Sequence, residues 1–156
     1  MNHLEPFLTN ETVNVFVKAD GGLKETTFPS KKQRGDCVVR AITIALNLPY
    51  EVVFKDLCNL AMETGFFPND DETYSLYLKQ HGWIKNKPQR VNGNLKRLEH
   101  FDSRGITAIV SVRNHLVCVS EGKIFDTYDC KFRCAYSYWV KSEAQEFVNH
   151  LNGIKK

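Results

Sequence analysis

The sequence contains no apolar run approaching the ~18 residues that a membrane-spanning helix requires. Its opening, MNHLEPFLTN, lacks both the basic start and the hydrophobic stretch of a signal peptide. The two absences predict a cytoplasmic protein with no membrane partner. An excess of one charge is missing as well: 21 Lys and Arg face 18 Asp and Glu, leaving a net charge of +3 spread along the chain, too mild to call for a polyanionic partner. The basic spots at 31–34 and 85–90 are short and read as solvated surface, so no nucleic acid is expected. A glycine-rich phosphate loop, an internal repeat and a low-complexity linker are also absent, which removes P-loop nucleotide chemistry and repeat arrays from consideration. Cysteine is present but in the wrong number for a disulfide framework. Cys37, Cys58, Cys118, Cys130 and Cys134 form an odd set in a chain without an export signal, and reduced thiols are expected.

What is present is one domain's worth of foldable chain. A length of 156 residues is enough to bury a core without staples, and 42% hydrophobic with 25% charged residues argues against disorder and against a fibrous repeat. The stretch QRGDCVVRAITIAL turns from a polar loop into a helix whose apolar residues surround the axis, with Asp36 as its expected N-cap, so this helix is predicted to be buried on most sides. YEVVFKDLCNLAMETG reads as a second, amphipathic helix with a glycine cap, and a third follows Asp70-Asp71-Glu72 and stops at Gly82. Trp83 starts a loop or short strand, and one or two helical turns are expected within 94–101. Beyond Gly105 the period changes to alternation in ITAIVSV, HLVCVS and KIFDTYD, predicting three consecutive antiparallel strands with corners at Arg113-Asn114 and Glu121-Gly122. SEAQEFVNHLN closes as a helix, and a hairpin around Gly21-Gly22 is expected within 13–28. The expectation is an α+β fold, helices first and antiparallel sheet second, in a single domain over 1–156.

Cys37 falls in the first turn of the buried helix. Unsatisfied amides and the helix dipole favour negative charge there and lower a thiol pKa, and the thiolate is the nucleophilic form. The same amides, with the Gln33 side chain four residues upstream, are placed to hold an oxyanion. His115 opens a strand directly after a tight corner, where an imidazole projects from the sheet toward a helix packed on it. A two-residue turn at Glu121-Gly122 sets Asp126 one diagonal step from His115, whereas a three-residue loop sets Asp129 opposite it. Asp126 is preferred because it alternates with Ile124 and leaves Phe125 to the other face; Asp129 is the reserve.

Other groups carry less. Cys130 and Cys134 have no matching Cys or His pair, and no metal or cofactor is expected. His3, His81, His100 and His150 share no pattern, and Arg40 is read first as a structural ion-pair partner for a buried carboxylate and second as a side chain pointing into a cleft toward a substrate. Trp83 and Trp139 are packing residues first, and second candidates to line a cleft beside the thiol.

The order Gln-x-x-Asp-Cys at a helix start, His at a strand start and Asp after a glycine-containing hairpin resembles the papain-like cysteine peptidase superfamily, in particular its small bacteriocin-processing and transglutaminase-like branches. This resemblance covers the Cys37 helix and residues 106–129. Along most of its length the chain is also similar to short phage and bacterial proteins with a GDCVVRAI-like helix and a later HL...GK..DT.D hairpin ending near a Tyr-Trp, here Tyr138-Trp139. The resemblance implies a papain-like fold with Cys37 as nucleophile, His115 as general base and acid, Asp126 as the orienting carboxylate and Gln33 as oxyanion donor. Two features depart from the pattern: the glutamine stands closer to the cysteine than in many papain-like sequences, and Val38 occupies a position often held by a small residue. The implied activity is hydrolysis of an amide, peptide or isopeptide bond in a protein or peptide substrate. The alternatives are a transglutaminase-type acyl transfer or a catalytically silent protein that blocks a host factor.

Overall fold

The computed structural model describes residues 13–32 and 35–151. Among them are four α-helices and a mixed six-stranded sheet, an α+β architecture. The helices are α1 (Cys37–Leu46), α2 (Tyr50–Thr64), α3 (Asp71–Gln80) and α4 (Gln145–Leu151). The strands are β1 (Val15–Lys18), β2 (Trp83–Asn86), β3 (Arg90–Val91), β4 (Asn94–Leu95), β5 (Thr107–Val112), β6 (His115–Ser120), β7 (Lys123–Asp126) and β8 (Ser137–Lys141). The large sheet runs β1-β7-β6-β5-β8-β2, with β3 and β4 paired separately.

The alternating pattern of β5 to β8 divides two cores. Ile109 opposes Trp139 and packs with Val39, Ile42, Leu57 and Leu78 on the helical side. Val110 opposes Tyr138 and packs with Phe101, Val117, Ile124 and Val148 on the other. The strands expected from alternation in β5 and β6 form, and most of their residues are buried on both faces because each face of the sheet carries a core. Helix α1 lies on the sheet with Val38 through Thr43 all buried, as its encircling apolar pattern predicts.

Several expectations are corrected by the structure. The 13–28 hairpin does not form: Asp20 accepts the backbone N–H groups of Gly22 and Lys24, which curls the Gly-Gly segment into the 3-10 turn Leu23–Glu25. β1 instead pairs parallel with β7, which makes the sheet mixed rather than wholly antiparallel and C-terminal. Within 94–101 the expected helical turn is the 3-10 turn Leu98–His100, and it is preceded by the short strand β4. Asp36 does not cap α1 with its side chain, because its carboxylate is taken by Arg40 and Tyr50. Trp83 and Trp139 are buried in the helical-side core, the packing role expected of them first, and do not line the cleft.

Two turns that matter for chemistry take the expected form. Glu121 and Gly122 both have positive φ, 44° and 82°, as a type I′ two-residue hairpin requires. The resulting register pairs Cys118 with Phe125, so Asp126 sits one diagonal step from His115. Asn114, at φ 53°, turns the β5–β6 corner and delivers His115 as the first residue of β6.

Candidate active site

Helix α1 and the adjoining ends of β6 and β7 bring three sequence-distant side chains together. Cys37 is the first residue of α1, His115 the first of β6 and Asp126 the last of β7. His115 Nε2 donates to Asp126 Oδ2 at 2.5 Å, with both side chains almost wholly buried. With Nε2 engaged, Nδ1 is the ring nitrogen left to face Cys37, and the imidazole is close enough to the thiol to act on its ionisation. The backbone N–H of Leu116 acts on the Cys37 sulfur in the same direction. Ahead of Cys37, Asn69 Nδ2 donates to the Gly35 carbonyl at 2.7 Å and ties the entry to α1 onto the α2–α3 loop.

Asp126 receives four donors. Oδ1 accepts from Arg40 at 3.1 Å and from the Thr127 backbone N–H at 2.7 Å; Oδ2 accepts from His115 and, at 3.3 Å, from the Cys130 thiol. Arg40 spans from Asp126 to Asp36, and Asp36 accepts a further bond from the Tyr50 hydroxyl at 2.8 Å. Arg40 is therefore the structural ion-pair partner the sequence implied, and its partners are now named. This buried chain of charge and hydrogen bonds fixes the carboxylate, and the carboxylate fixes the ring.

The electrostatics favour an ion pair between thiol and imidazole. Burial works against the imidazolium, but the Asp126 carboxylate and the Cys130 and Cys37 thiols more than offset it, so the His115 pKa is pushed up to about 11. Burial likewise opposes ionisation of Cys37. The hydrogen bonds from His115 and Leu116, with the positive charges of His115 and Arg40, still bring its pKa below the ordinary thiol value. Asp126 is held below the usual carboxylate range despite burial, chiefly by its hydrogen bond with His115. The other buried thiols behave oppositely: burial raises Cys130, and raises Cys118 to about 12.

The outer face of the imidazole is covered by Tyr128, whose ring centroid lies 5.1 Å away, and Arg133 sits over the tyrosine. Cys37 and His115 open into a cleft of about 460 Å³ between the α2–α3 loop and the β5–β6 corner. The reserve carboxylate, Asp129, is exposed and faces Lys131 at 3.5 Å, away from the imidazole. Gln33 lies outside the described residues. Cys130 and Tyr128 stand beside His115 without a clear mark in the sequence. A cysteine four residues after a strand-ending aspartate is a faint signal, and it gains meaning only once the β7–β8 segment folds back.

His115, Asp126 and Cys130 also place one ligand-type atom each within 4.8 Å of one another. Two ligands of one tetrahedral zinc stand about 3.3 Å apart at ~2.0 Å bond lengths. The 2.5 Å contact between His115 and Asp126 is instead that of a charge-assisted hydrogen bond, and the other carboxylate oxygen is committed to Arg40. The geometry is that of a proton-sharing cluster. Compared with protein-family models, with curated proteins and with solved structures, the chain matches none.

Proposed function

We propose that the protein is a papain-like cysteine hydrolase that cleaves an amide, peptide or isopeptide bond in a protein or peptide substrate, in a reducing compartment such as the cytoplasm. The observation that carries this reading is the Cys37–His115–Asp126 alignment at the mouth of an open cleft, with the thiol pKa lowered where burial alone would raise it.

In this reading the Cys37 thiolate attacks the substrate carbonyl, forming the S–C bond and a tetrahedral oxyanion. The first-turn amides of α1 face that developing charge. Collapse breaks the C–N bond while imidazolium His115 gives its proton to the departing amine, leaving a thioester on Cys37. His115 then takes a proton from water as the water attacks the thioester, and the carboxylic acid leaves. Asp126 keeps the proton-bearing Nε2 pointed at itself, so Nδ1 remains on the thiol side throughout.

The test uses an activated ester such as p-nitrophenyl acetate. Wild-type protein should release nitrophenolate in a burst and carry one acetyl group on Cys37 by peptide mapping. Cys37→Ala and His115→Ala should lack the burst near neutral pH. A folded wild-type protein that gives no burst, or an acetyl group placed on another residue, would leave a silent binding protein as the better reading.

A further inference from the structure

The cleft that holds Cys37 does not end at His115. Asn114, on the β5–β6 corner, lines both this cleft and a second depression formed by Arg113, Arg133, Cys134 and Tyr136, so the two meet at that residue, and an extended segment laid across both would occupy one groove. The ends of the groove carry opposite charge. At the α2–α3 end the acidic side chains are Asp70 and Asp71, and among the described residues no lysine or arginine lines that part. At the β7–β8 end they are Arg113 and Arg133, with no acidic side chain among the lining residues. Asp71, Arg113 and Arg133 are all solvent-exposed.

Each end also presents aromatic surface suited to its charge. Phe66 and Phe67, 46% and 78% exposed, stand on the loop beside Asp70, where ring faces favour a cation. Tyr136, 45% exposed, offers a hydroxyl donor beside the arginines, where a carboxylate would accept it. The guanidinium of Arg133 is held in place by its bond to the Arg113 carbonyl at 3.2 Å and by the Tyr128 ring beneath it. The Asp70 carboxylate is likewise held by the Phe67 backbone N–H at 3.1 Å.

Building on the hydrolase reading, we propose that the groove selects its substrate by charge order: a protein or peptide segment with a basic residue on one side of the reactive carbonyl, toward Asp70 and Asp71, and an acidic residue on the other, toward Arg113 and Arg133. A uniformly anionic chain such as RNA fits only one half, because the acidic end repels its continuation past Cys37.

Two peptides of identical composition and net charge test the order directly: acetyl-Lys-Lys-dehydroalanine-Glu-Glu-amide and its sequence reverse. Dehydroalanine is a Michael acceptor. The Cys37 sulfur bonds to its β-carbon, the π electrons move to the α-carbon, and that carbon takes a proton, so labelling needs no hydrolysis. Intact-mass measurement of the labelling rate should favour one isomer by on the order of tenfold, since reversal turns two surface attractions into two repulsions. Asp71→Asn combined with Arg113→Gln should bring the ratio toward one while leaving iodoacetamide labelling of Cys37 unchanged. Equal rates for the two isomers in wild-type protein, with Cys37 still reactive to iodoacetamide, would overturn the charge-order proposal and spare the hydrolase reading. A Cys37 unreactive even to iodoacetamide would remove both. Salt-sensitive binding of poly-uridine that blocks labelling by both peptides would assign the basic end to nucleic acid and overturn the proposal.

Discussion

Replacing Asp126 with asparagine changes one atom of the site and most of its electrostatics. The carboxylate accepts from His115 at 2.5 Å with only 2% of its residue surface exposed, so water does little to screen the interaction. Hydrogen bonds to charged groups in such settings are worth about 1.5–3 kcal/mol, and at about 1.4 kcal/mol per pKa unit the imidazolium loses roughly one to two units of stabilisation. Asparagine can still accept from Arg40 and Thr127. Its amide N–H, however, faces Nε2 and forces the ring into the tautomer that carries its proton on Nδ1, toward the thiol. The assay is the rate of iodoacetamide capture at Cys37, read by intact mass across about pH 4 to 9, where the acid limb reports thiolate formation. In Asp126→Asn that limb should move up by roughly one to two units, slowing capture near pH 6 by about ten- to a hundredfold. Cys118, buried and pushed up to about 12, should stay unlabelled in both proteins and serves as an internal control for unfolding. Superimposable profiles in a variant that melts cooperatively would refute the idea that the Asp126–His115 bond sets the nucleophile.

Arg40→Met leaves Asp36 and Asp126 as buried carboxylates without their shared cation, and should lower stability in urea by about 3–5 kcal/mol; a loss under about 1 kcal/mol would contradict the bridge. His115 has a folded pKa of about 11, above the ~6.5 of an unfolded histidine, so its contribution is complete below about pH 6.5 and is lost as pH rises toward its folded value. The stability gap between wild type and His115→Gln should therefore narrow over that alkaline range by denaturant titration. Asp126, depressed in the fold, contributes in the opposite sense: its stabilisation is present above about pH 3.9 and lost as pH falls through its folded pKa. Cys130→Ala removes one of the four donors to Asp126 and should destabilise by about 1–2 kcal/mol while Cys37 capture persists; disappearance of capture would move the reactive thiol to Cys130. Gly21→Ala places a Cβ 3.2 Å from the Arg40 Cα at a φ of +71°, and a thermal-melt loss corresponding to about 1–2 kcal/mol is expected.

The candidate site was legible where its geometry follows from short-range rules. A glycine turn fixes the β6–β7 register, the register fixes the offset between His115 and Asp126, and a polar turn before an apolar helix fixes Cys37. The support behind it was less legible because it depends on packing between distant segments. Arg40 meets Asp126 across 86 positions and Tyr50 meets Asp36 across a helix break, and neither pairing leaves a periodic trace. β1 was misread for the same reason. Its alternation is that of any edge strand, and nothing near it in sequence reveals that its partner is β7 rather than a neighbouring hairpin arm. The Asp36 side chain shows two local rules in competition, since a good capping residue is diverted by the guanidinium one helical turn on, and the Tyr50 hydroxyl then takes its other oxygen.

The long span between Cys37 and Asp126 has a consequence for synthesis. A ribosome completes α1 well before it reaches His115, so the thiol of a growing chain meets neither the imidazole nor the carboxylate and titrates like that of any peptide cysteine. The surroundings that lower its pKa form only when the late strands fold against the early helix.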